Sequence, residues 1–335
     1  MSNKPSDSEF NFLEHSMEFL KSLSKLTLIY AVISSFGISV IYFIEEGMNS
    51  GTQLNNAFKA YEGYGSVNQF FIDYPQLYQF DDQVQICDHT TLTPENFVKQ
   101  YVNKQRPCLF KGYAKIWPAF EKWTNQSYLN ETSGQEIIYA EKQKDNRFAY
   151  FTAGAKRVYM TYSQFLDTFQ DPNRTYHYYF SFEDPPGPLK EDIIDIPIVQ
   201  DYFELEQLTF WHGFGTLTRP HTDAMENIIC VFEGYKNFTI VPPHHTPFVY
   251  NGYEGLPRNY SPLEFVDPDY TKYPLFKNAK IMSAFVDQGD CLYMPSFWWH
   301  QVESSKGVTL ALSHWYKVQH EFTQEIIAHY QDKFL

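Results

Sequence analysis

Residues 207–241 read QLTFWHGFGTLTRPHTDAMENIICVFEGYKNFTIV, a run of short apolar segments separated by Gly, Pro and Asp. Apolar segments of this length with turn residues between them are typical of β-strands. The pattern continues to residue 316, and Glu233-Gly234 between two apolar runs predicts a tight hairpin. Eight strands are predicted: 207–213, 217–222, 227–233, 236–241, 281–286, 291–294, 298–303 and 308–316. Eight short antiparallel strands favour a mainly β fold, a double-stranded β-helix or jelly roll, here with flanking helices.

The composition of the 335-residue chain is that of a folded domain and argues against nucleic-acid binding. Hydrophobic residues make up 43% and charged residues 20%, which is enough apolar surface for a packed core. Aromatic residues reach 19%, and so many rings can both fill a core and wall a pocket. The net charge is −14 and the sequence has no basic run, whereas a duplex-binding protein needs a basic face. We therefore expect no nucleic-acid partner.

One apolar segment near the N-terminus predicts a membrane anchor. Residues 26–44 read LTLIYAVISSFGISVIYFI without a charge, and as a helix they would extend about 28 Å, close to the hydrocarbon thickness. The leader before it is too long and too acidic for a signal peptide, so we expect a retained single span. Lysines precede the span and glutamates follow it, which favours an N-terminus on the cytosolic or matrix side. The soluble part would then face a secretory lumen or a mitochondrial intermembrane space, and both alternatives stay open.

These features divide the chain into five parts. The expected parts are a leader with an amphipathic helix (1–25), the transmembrane helix (26–44), a linker or arm (45–92), the β domain (93–317) and a C-terminal helix (318–335). The anchor gives the chain a membrane as its first expected partner.

Four cysteines lie far apart in the sequence, at positions 87, 108, 230 and 291. They form no Cys-x-x-Cys pair, which argues against a zinc ribbon and a thioredoxin-type redox site. The simplest interpretation is four buried thiols. A Cys87–Cys108 disulfide stays open as an alternative for an oxidising compartment.

Two motifs far apart in the chain predict a metal site. His221-Thr222-Asp223 is the first, because residues i and i+2 of a strand point to the same face, although such a triplet often arises by chance. His300 ends the second, GDCLYMPSFWWH (residues 289–300), and its strand can face the first motif across a jelly roll. Two His and one carboxylate occupy one face of an octahedral ion and leave three positions open, an arrangement typical of non-haem Fe(II) oxygenases.

Three ordered blocks carry a resemblance to a known family. They are RPCLFKG with WPA (residues 106–119), TRPHTD followed by Asn227, GYK and VPP (residues 218–243), and residues 289–304 around His300. In these blocks the chain resembles the JmjC family of cupin-fold, Fe(II)- and 2-oxoglutarate-dependent oxygenases. It is most similar to the cupin-like hydroxylase branch that contains the asparaginyl hydroxylase acting on hypoxia-inducible factor. The resemblance implies a cupin-like jelly roll, with Fe(II) as cofactor and 2-oxoglutarate as co-substrate.

The resemblance also implies roles for individual residues. His221, Asp223 and His300 would hold the iron and form the catalytic centre. The remaining residues would bind the co-substrate: Lys236 would pair with its distal carboxylate, Thr218 would donate a hydroxyl, and Asn227 would line the pocket. Tyr178 or Tyr179 would supply a phenol. Ser313 stands where the branch often has Asn. This departure puts the efficiency of catalysis in doubt, but not metal binding.

Two functions follow as alternatives. The first is a membrane-anchored oxygenase that hydroxylates a protein side chain. The second is a cupin-fold accessory subunit without turnover, held in a large membrane assembly of a mitochondrial respiratory kind, because a fold does not by itself imply activity. The anchor and the acidic charge argue against a chromatin substrate, and therefore against histone demethylation.

Overall fold

In a computed structural model of the chain, residues 81–149 and 156–317 are described, and they form two β-sheets with short helices beside them. The strands are β1 (Gln85–Ile86), β2 (Cys108–Phe110), β3 (Ile137–Gln143), β4 (Arg147–Phe148), β5 (Lys156–Thr161), β6 (His177–Glu183), β7 (Leu205–Phe214), β8 (Leu217–Thr218), β9 (Glu226–Glu233), β10 (Lys236–Val241), β11 (Met282–Val286), β12 (Cys291–Met294), β13 (Trp299–Ser304) and β14 (Val308–Tyr316). The α-helices are α1 (Pro94–Phe97, continued by a wider turn over Val98–Val102), α2 (Pro118–Lys122), α3 (Gln126–Ser133) and α4 (Tyr162–Asp167).

The larger sheet has nine strands in the order β1-β2-β12-β9-β14-β7-β6-β3-β5, and the smaller has five in the order β11-β10-β13-β8-β4. The eight strands predicted from the sequence are β7 to β14. Four of them lie in the larger sheet and four in the smaller, the arrangement of a jelly roll. The mainly β, cupin-like fold is confirmed.

The central strands β12, β9 and β14 of the larger sheet are buried on both faces, and β9 shows how its sequence achieves this. Ile228, Cys230 and Phe232 belong to the hydrophobic cluster formed with the helices. Ile229 and Val231 point to the opposite face and join the cluster shared with the smaller sheet. A strand covered on both faces needs an unbroken apolar run, which is what residues 228–232 supply.

The strand predicted over 217–222 is shorter in the structure. β8 ends at Thr218, because Pro220 cannot donate to a strand ladder. The backbone of His221 instead exchanges two hydrogen bonds with His300: His221 N donates to His300 O at 3.0 Å, and His300 N donates to His221 O at 2.8 Å. This isolated β-bridge holds His221 and His300, two of the predicted metal ligands, next to each other, although His221 is not part of a continuous strand.

All four cysteines are paired, so the interpretation as buried thiols is wrong. Cys230 and Cys291 are opposite each other in the β9–β12 register and form one disulfide. Cys87 follows β1, which pairs with β2, and bonds to Cys108 in the second. The Cys87–Cys108 bond is the alternative that the sequence analysis left open. The Cys230–Cys291 bond depends on strand register between distant segments, which the spacing of the cysteines did not reveal.

The predicted leader (1–25), membrane span (26–44), first part of the arm (45–80) and C-terminal helix (318–335) lie outside the described residues. Within residues 81–149 and 156–317, no helix has the length and the apolar character needed to cross a membrane.

Candidate functional site

Residues of both sheets line one pocket. Its empty volume, including the open mouth, is about 710 Å³. Eight of the nine site residues predicted from the sequence line it. They are Tyr179, Thr218, His221, Asp223, Asn227, Lys236, His300 and Ser313. The two distant motifs therefore meet in one place.

His221, Asp223 and His300 bring their ligand atoms together on the pocket wall, within 4.8 Å of one another. Asp223 Oδ2 lies 3.7 Å from His221 Nε2 and 3.4 Å from His300 Nε2. The His300 side chain is buried, whereas the other two are partly accessible from the pocket. One ion can contact all three atoms.

The other ring nitrogens show that both imidazoles are arranged as metal ligands. His221 Nδ1 donates to the Arg219 carbonyl at 2.7 Å, and His300 Nδ1 donates to the Trp298 carbonyl at 2.9 Å. A carbonyl oxygen only accepts, so each Nδ1 carries the hydrogen and each Nε2 offers its lone pair to the pocket. Burial, and then the neighbouring His221, lower the pKa of His300 to about 4, which keeps this imidazole in its neutral, metal-binding form.

The combination of two imidazoles and one carboxylate suits a divalent transition ion such as Fe(II). The three ligand side chains therefore fit the Fe(II) that the sequence predicts, and so do the Nδ1 hydrogen bonds that orient the two imidazoles.

Lys236 brings a buried positive charge into the same pocket. It begins β10 directly after the Gly234 turn, and its Nζ donates to Tyr179 Oη at 3.4 Å and to Ser304 Oγ at 3.3 Å. Among the described residues, no carboxylate lies within ion-pair distance of this ammonium. Burial lowers the pKa of Lys236 to about 7. A buried ammonium with only hydroxyl partners is suited to an anionic ligand.

Three polar residues complete this part of the wall. Thr218 Oγ1 accepts from Val302 N at 3.1 Å and so ties β8 to β13. Ser313 Oγ accepts from Trp211 Nε1 at 2.9 Å. Asn227 Oδ1 is buried and makes no hydrogen bond to the described residues, which leaves it available to a ligand.

The structure separates the two tyrosines that the sequence left as alternatives. Tyr179 is opposite Glu141 in the β3–β6 register and lines the pocket, and burial raises its pKa. Tyr178 is opposite Lys142 and faces away, with the Lys142 ammonium 5.5 Å from the centroid of its ring. Tyr178 is therefore not a pocket residue, because neighbouring residues of a strand point to opposite faces.

Sequence reasoning missed the other half of the wall. The pocket is also lined by Glu141, Phe148, Ala149, Trp211, Ile229, Phe238, Tyr260, Val302 and Trp315. The alternation of apolar and polar residues in β3 indicates that Glu141 faces away from Ile138 and Ala140. Nothing in the sequence shows that this face of β3 borders the pocket.

Residues 94–322 match the family model described as "Cupin-like domain", and this match covers more than half of the chain. The chain belongs to the cupin-like domain family. The resemblance predicted from the three sequence blocks is thereby confirmed.

Several curated proteins are similar to this cupin-like domain. The lysine-specific demethylase JMJ30 of Arabidopsis thaliana is 27% identical over 241 residues, covering 69% of this chain and 54% of that protein. The human bifunctional peptidase and (3S)-lysyl hydroxylase JMJD7 is 26% identical over 270 residues, covering 68% and 83%. The tRNA wybutosine-synthesizing protein 5 of Gallus gallus is 26% identical over 253 residues, covering 68% and 76%. The chain spans about half the length of the plant demethylase.

Proposed function

We propose that this chain is an Fe(II)- and 2-oxoglutarate-dependent oxygenase that hydroxylates a protein side chain. One observation carries the proposal: a two-histidine, one-carboxylate triad lines the same pocket as a buried ammonium that has no carboxylate partner among the described residues. A metal site alone would suit many functions, and a buried lysine alone could be structural. Together they match the two ends of a 2-oxo dicarboxylate, one held at the metal and the other by the ammonium.

Each residue has a definite task in this proposal. His221, Asp223 and His300 hold the metal, and the Nδ1 hydrogen bonds fix the direction of both imidazoles. Lys236, with Tyr179 beside it, binds the distal carboxylate of the oxo acid. Fe(II) and 2-oxoglutarate, when bound, supply the oxidation: O₂ converts the oxo acid to succinate and CO₂ and a substrate C–H to C–OH.

Two observations favour a protein as the substrate. One relative is named for lysyl hydroxylation and another for lysine demethylation, both reactions of protein side chains. The chain also carries a net charge of −14, which opposes the binding of nucleic acid.

The test is the conversion of 2-oxoglutarate to succinate by the purified full chain with Fe(II), O₂ and a peptide mixture from a proteolysed membrane fraction. We expect succinate from the wild type and at least a hundredfold less from Asp223→Ala. The matched control Asp201→Ala removes an exposed carboxylate and should leave the rate unchanged. A wild-type chain that neither binds nor converts the oxo acid would contradict the proposal and favour an accessory subunit.

The proposal also includes the membrane anchor at residues 26–44, with the cupin-like domain in a lumen or an intermembrane space. The two disulfides support an oxidising compartment for the domain, because disulfides are rare in the cytosol. Alkaline carbonate extraction of membranes from cells that express the full chain tests the anchor. The chain should stay in the pellet, and a chain without residues 1–44 should be released; release of both would contradict the anchor.

A further inference from the structure

We infer that the cupin-like domain lies in the secretory lumen and carries an N-linked glycan on Asn173. This inference rests on the anchor and the oxidising compartment of the proposed function, and it chooses between the secretory lumen and the intermembrane space. Two observations support it. The two disulfides argue against the cytosol, and the fold presents the Asn173 amide to solvent.

The sequence contains five Asn-x-Ser/Thr triplets, the acceptor motif for N-linked glycans, and all five follow the expected membrane span. Such triplets also arise by chance, so the motif alone does not identify a modified residue. The fold distinguishes the five by the freedom of the amide that would carry the sugar. Their asparagines are Asn125, Asn130, Asn173, Asn237 and Asn259.

Asn173 lies in the loop that joins α4 to β6, and both Asn173 and Thr175, the hydroxyl residue of its triplet, are exposed. The backbone of the loop is fixed from within, because Asn173 N donates to Asp171 Oδ1 at 2.9 Å. Within residues 81–149 and 156–317, neither the Asn173 amide nor the Thr175 hydroxyl has a hydrogen-bond partner. The nitrogen that would carry the sugar is therefore free.

Arg174, the middle residue of the triplet, holds the loop against the sheet. Its Nη2 donates to Phe169 O at 3.3 Å, and its guanidinium lies 3.9 Å from the centroid of the Phe214 ring. Phe214 points to the face of β7 opposite Trp211, which lines the pocket. A glycan on Asn173 would therefore leave the mouth of the pocket open.

Asn259 is the contrasting case, because its triplet belongs to the structure around the metal ligands. Thr222, which lies between His221 and Asp223, donates its backbone N to Asn259 O at 2.9 Å, and Asn259 Nδ2 is 3.5 Å from Thr222 O. Ser261, the hydroxyl residue of this triplet, is fully buried. A glycan on Asn259 would stand beside the metal ligands and obstruct the pocket, so we expect this residue to be unmodified.

The remaining three asparagines are less free than Asn173. Asn237 is half-buried in β10, which has a neighbouring strand on each side. Asn125 caps α3, since its Oδ1 accepts from the first backbone N–H groups of that helix. Asn130 is exposed but lies within α3. The inference therefore commits to Asn173.

The covalent step transfers an oligosaccharide from a lipid diphosphate, the donor that the secretory lumen supplies together with its transferase. A bond forms between Asn173 Nδ2 and C1 of the first sugar, and the bond between C1 and the diphosphate oxygen breaks. The amide nitrogen gives up one proton, the lipid diphosphate leaves, and no electron is gained or lost. The intermembrane space holds no such donor, so the glycan reports the compartment.

The experiment expresses the full chain in cultured human cells and removes N-linked glycans with peptide N-glycosidase F in heavy-oxygen water. We expect digestion to increase the mobility of the wild type on a denaturing gel. The enzyme converts each glycosylated Asn to a labelled Asp. Peptide mapping should therefore find the label at Asn173 and none at Asn259.

The matched variants are Thr175→Ala, which removes the acceptor motif and keeps Asn173, and Thr175→Ser, which preserves the motif. Thr175 is exposed, so neither change should disturb folding. Thr175→Ala should lose the label at Asn173, as Asn173→Gln should, and should migrate as a chain smaller by one glycan. Thr175→Ser should keep the label.

An unlabelled Asn173 in a wild-type chain whose two disulfides have formed would overturn the inference and favour the intermembrane space. A label at Asn259, or equal labelling of Thr175→Ala and Thr175→Ser, would also overturn it. Failure of the proposed function is distinguishable, because digestion and mapping require neither metal nor oxo acid. That failure appears as absent 2-oxoglutarate binding, and failure of the anchor appears as release by carbonate.

Discussion

Lys236 keeps a positive charge inside the protein at a cost to stability. Its Nζ is surrounded by Tyr179 and Ser304, whose hydroxyls solvate an ammonium less well than water does. The lowered pKa of about 7 expresses that cost. A buried ammonium that lowers stability is better explained by ligand binding than by folding.

Lys236→Met should separate the effect of this lysine on stability from its effect on ligand binding. We expect the free energy of unfolding of the ligand-free variant at pH 7 to be about 1–4 kcal/mol higher than that of the wild type, because the variant removes a buried ammonium that has no carboxylate partner among the described residues. The gap should shrink by about 1.4 kcal/mol per pH unit between pH 7 and 10, since the unfolded chain there holds a proton that the folded lysine has lost. Urea titrations measure both quantities.

The same substitution should weaken 2-oxoglutarate binding roughly 10- to 100-fold, because a hydrogen bond to a charged group contributes about 1.5–3 kcal/mol. Calorimetry checks this. Unchanged affinity in Lys236→Met would remove the lysine from the co-substrate site.

His212 predicts part of the acid sensitivity of the fold. It is fully buried, its Nδ1 is 2.8 Å from Tyr162 Oη, and burial lowers its pKa to about 3. The folded protein therefore carries fewer protons at this site than the unfolded chain, and stability from this residue is lost as pH falls from 6.5 towards 3.

His212→Phe should be less stable than the wild type at pH 7, by about 1–3 kcal/mol, because the Tyr162 hydroxyl loses its partner. The difference should shrink by about 1.4 kcal/mol for each pH unit below 6.5. Urea titrations at pH 7, 6 and 5 measure the trend. A constant difference would mean that His212 is protonated in the folded state.

At the scale of elements, the close approach of β6 and β7 positions the Tyr179 ring. Gly213 is opposite Tyr179 in the register, and a Cβ on this glycine would lie 2.7 Å from Tyr179 Cδ2 and 2.7 Å from Thr216 Cγ2. Both contacts are too short for a methyl group, so an alanine here must displace the ring or the strand.

Gly213→Ala should therefore weaken 2-oxoglutarate binding several-fold and lower the free energy of unfolding by about 1–3 kcal/mol. The matched control is Gly307→Ala, because nothing lies within 4 Å of a Cβ at Gly307. Calorimetry and urea titration of both variants measure the effects. Equal behaviour of the two variants would show that the packing of Tyr179 does not control the site.

The sequence predicted the strands themselves better than it predicted which residues of neighbouring strands lie opposite each other. Eight strands and the convergence of His221, Asp223 and His300 could be inferred, because apolar runs and a spaced motif are local patterns. The choice between Tyr178 and Tyr179 could not be inferred, since a shift of one residue in the β3–β6 register exchanges the two faces of β6. Glu141 was missed for the same reason.

At the scale of the molecule, two disulfides cross-link segments that are distant in the chain. Cys230–Cys291 joins β9 to β12, and Cys87–Cys108 joins the segment after β1 to β2. Both bonds lie in the core cluster that packs against the helices. We expect the protein to reach an oxidising compartment in which these bonds form.

Alkylation of the denatured chain from expressing cells tests this expectation. No cysteine should be labelled before reduction and all four after it, and peptide mapping should recover the two pairs. Reduction should lower the free energy of unfolding by about 2–4 kcal/mol for each bond removed. Four alkylated cysteines without reductant would contradict the oxidising compartment.

The central claim is that one pocket binds a metal through the triad and a 2-oxo dicarboxylate beside it. The most direct measurement is anaerobic calorimetry of the full chain with Fe(II) and then with 2-oxoglutarate. The account predicts one Fe(II) and one 2-oxoglutarate per wild-type chain, and at least hundredfold weaker Fe(II) binding by Asp223→Ala. A folded wild-type chain that binds neither, or an Asp223→Ala chain that binds both as tightly, would contradict it.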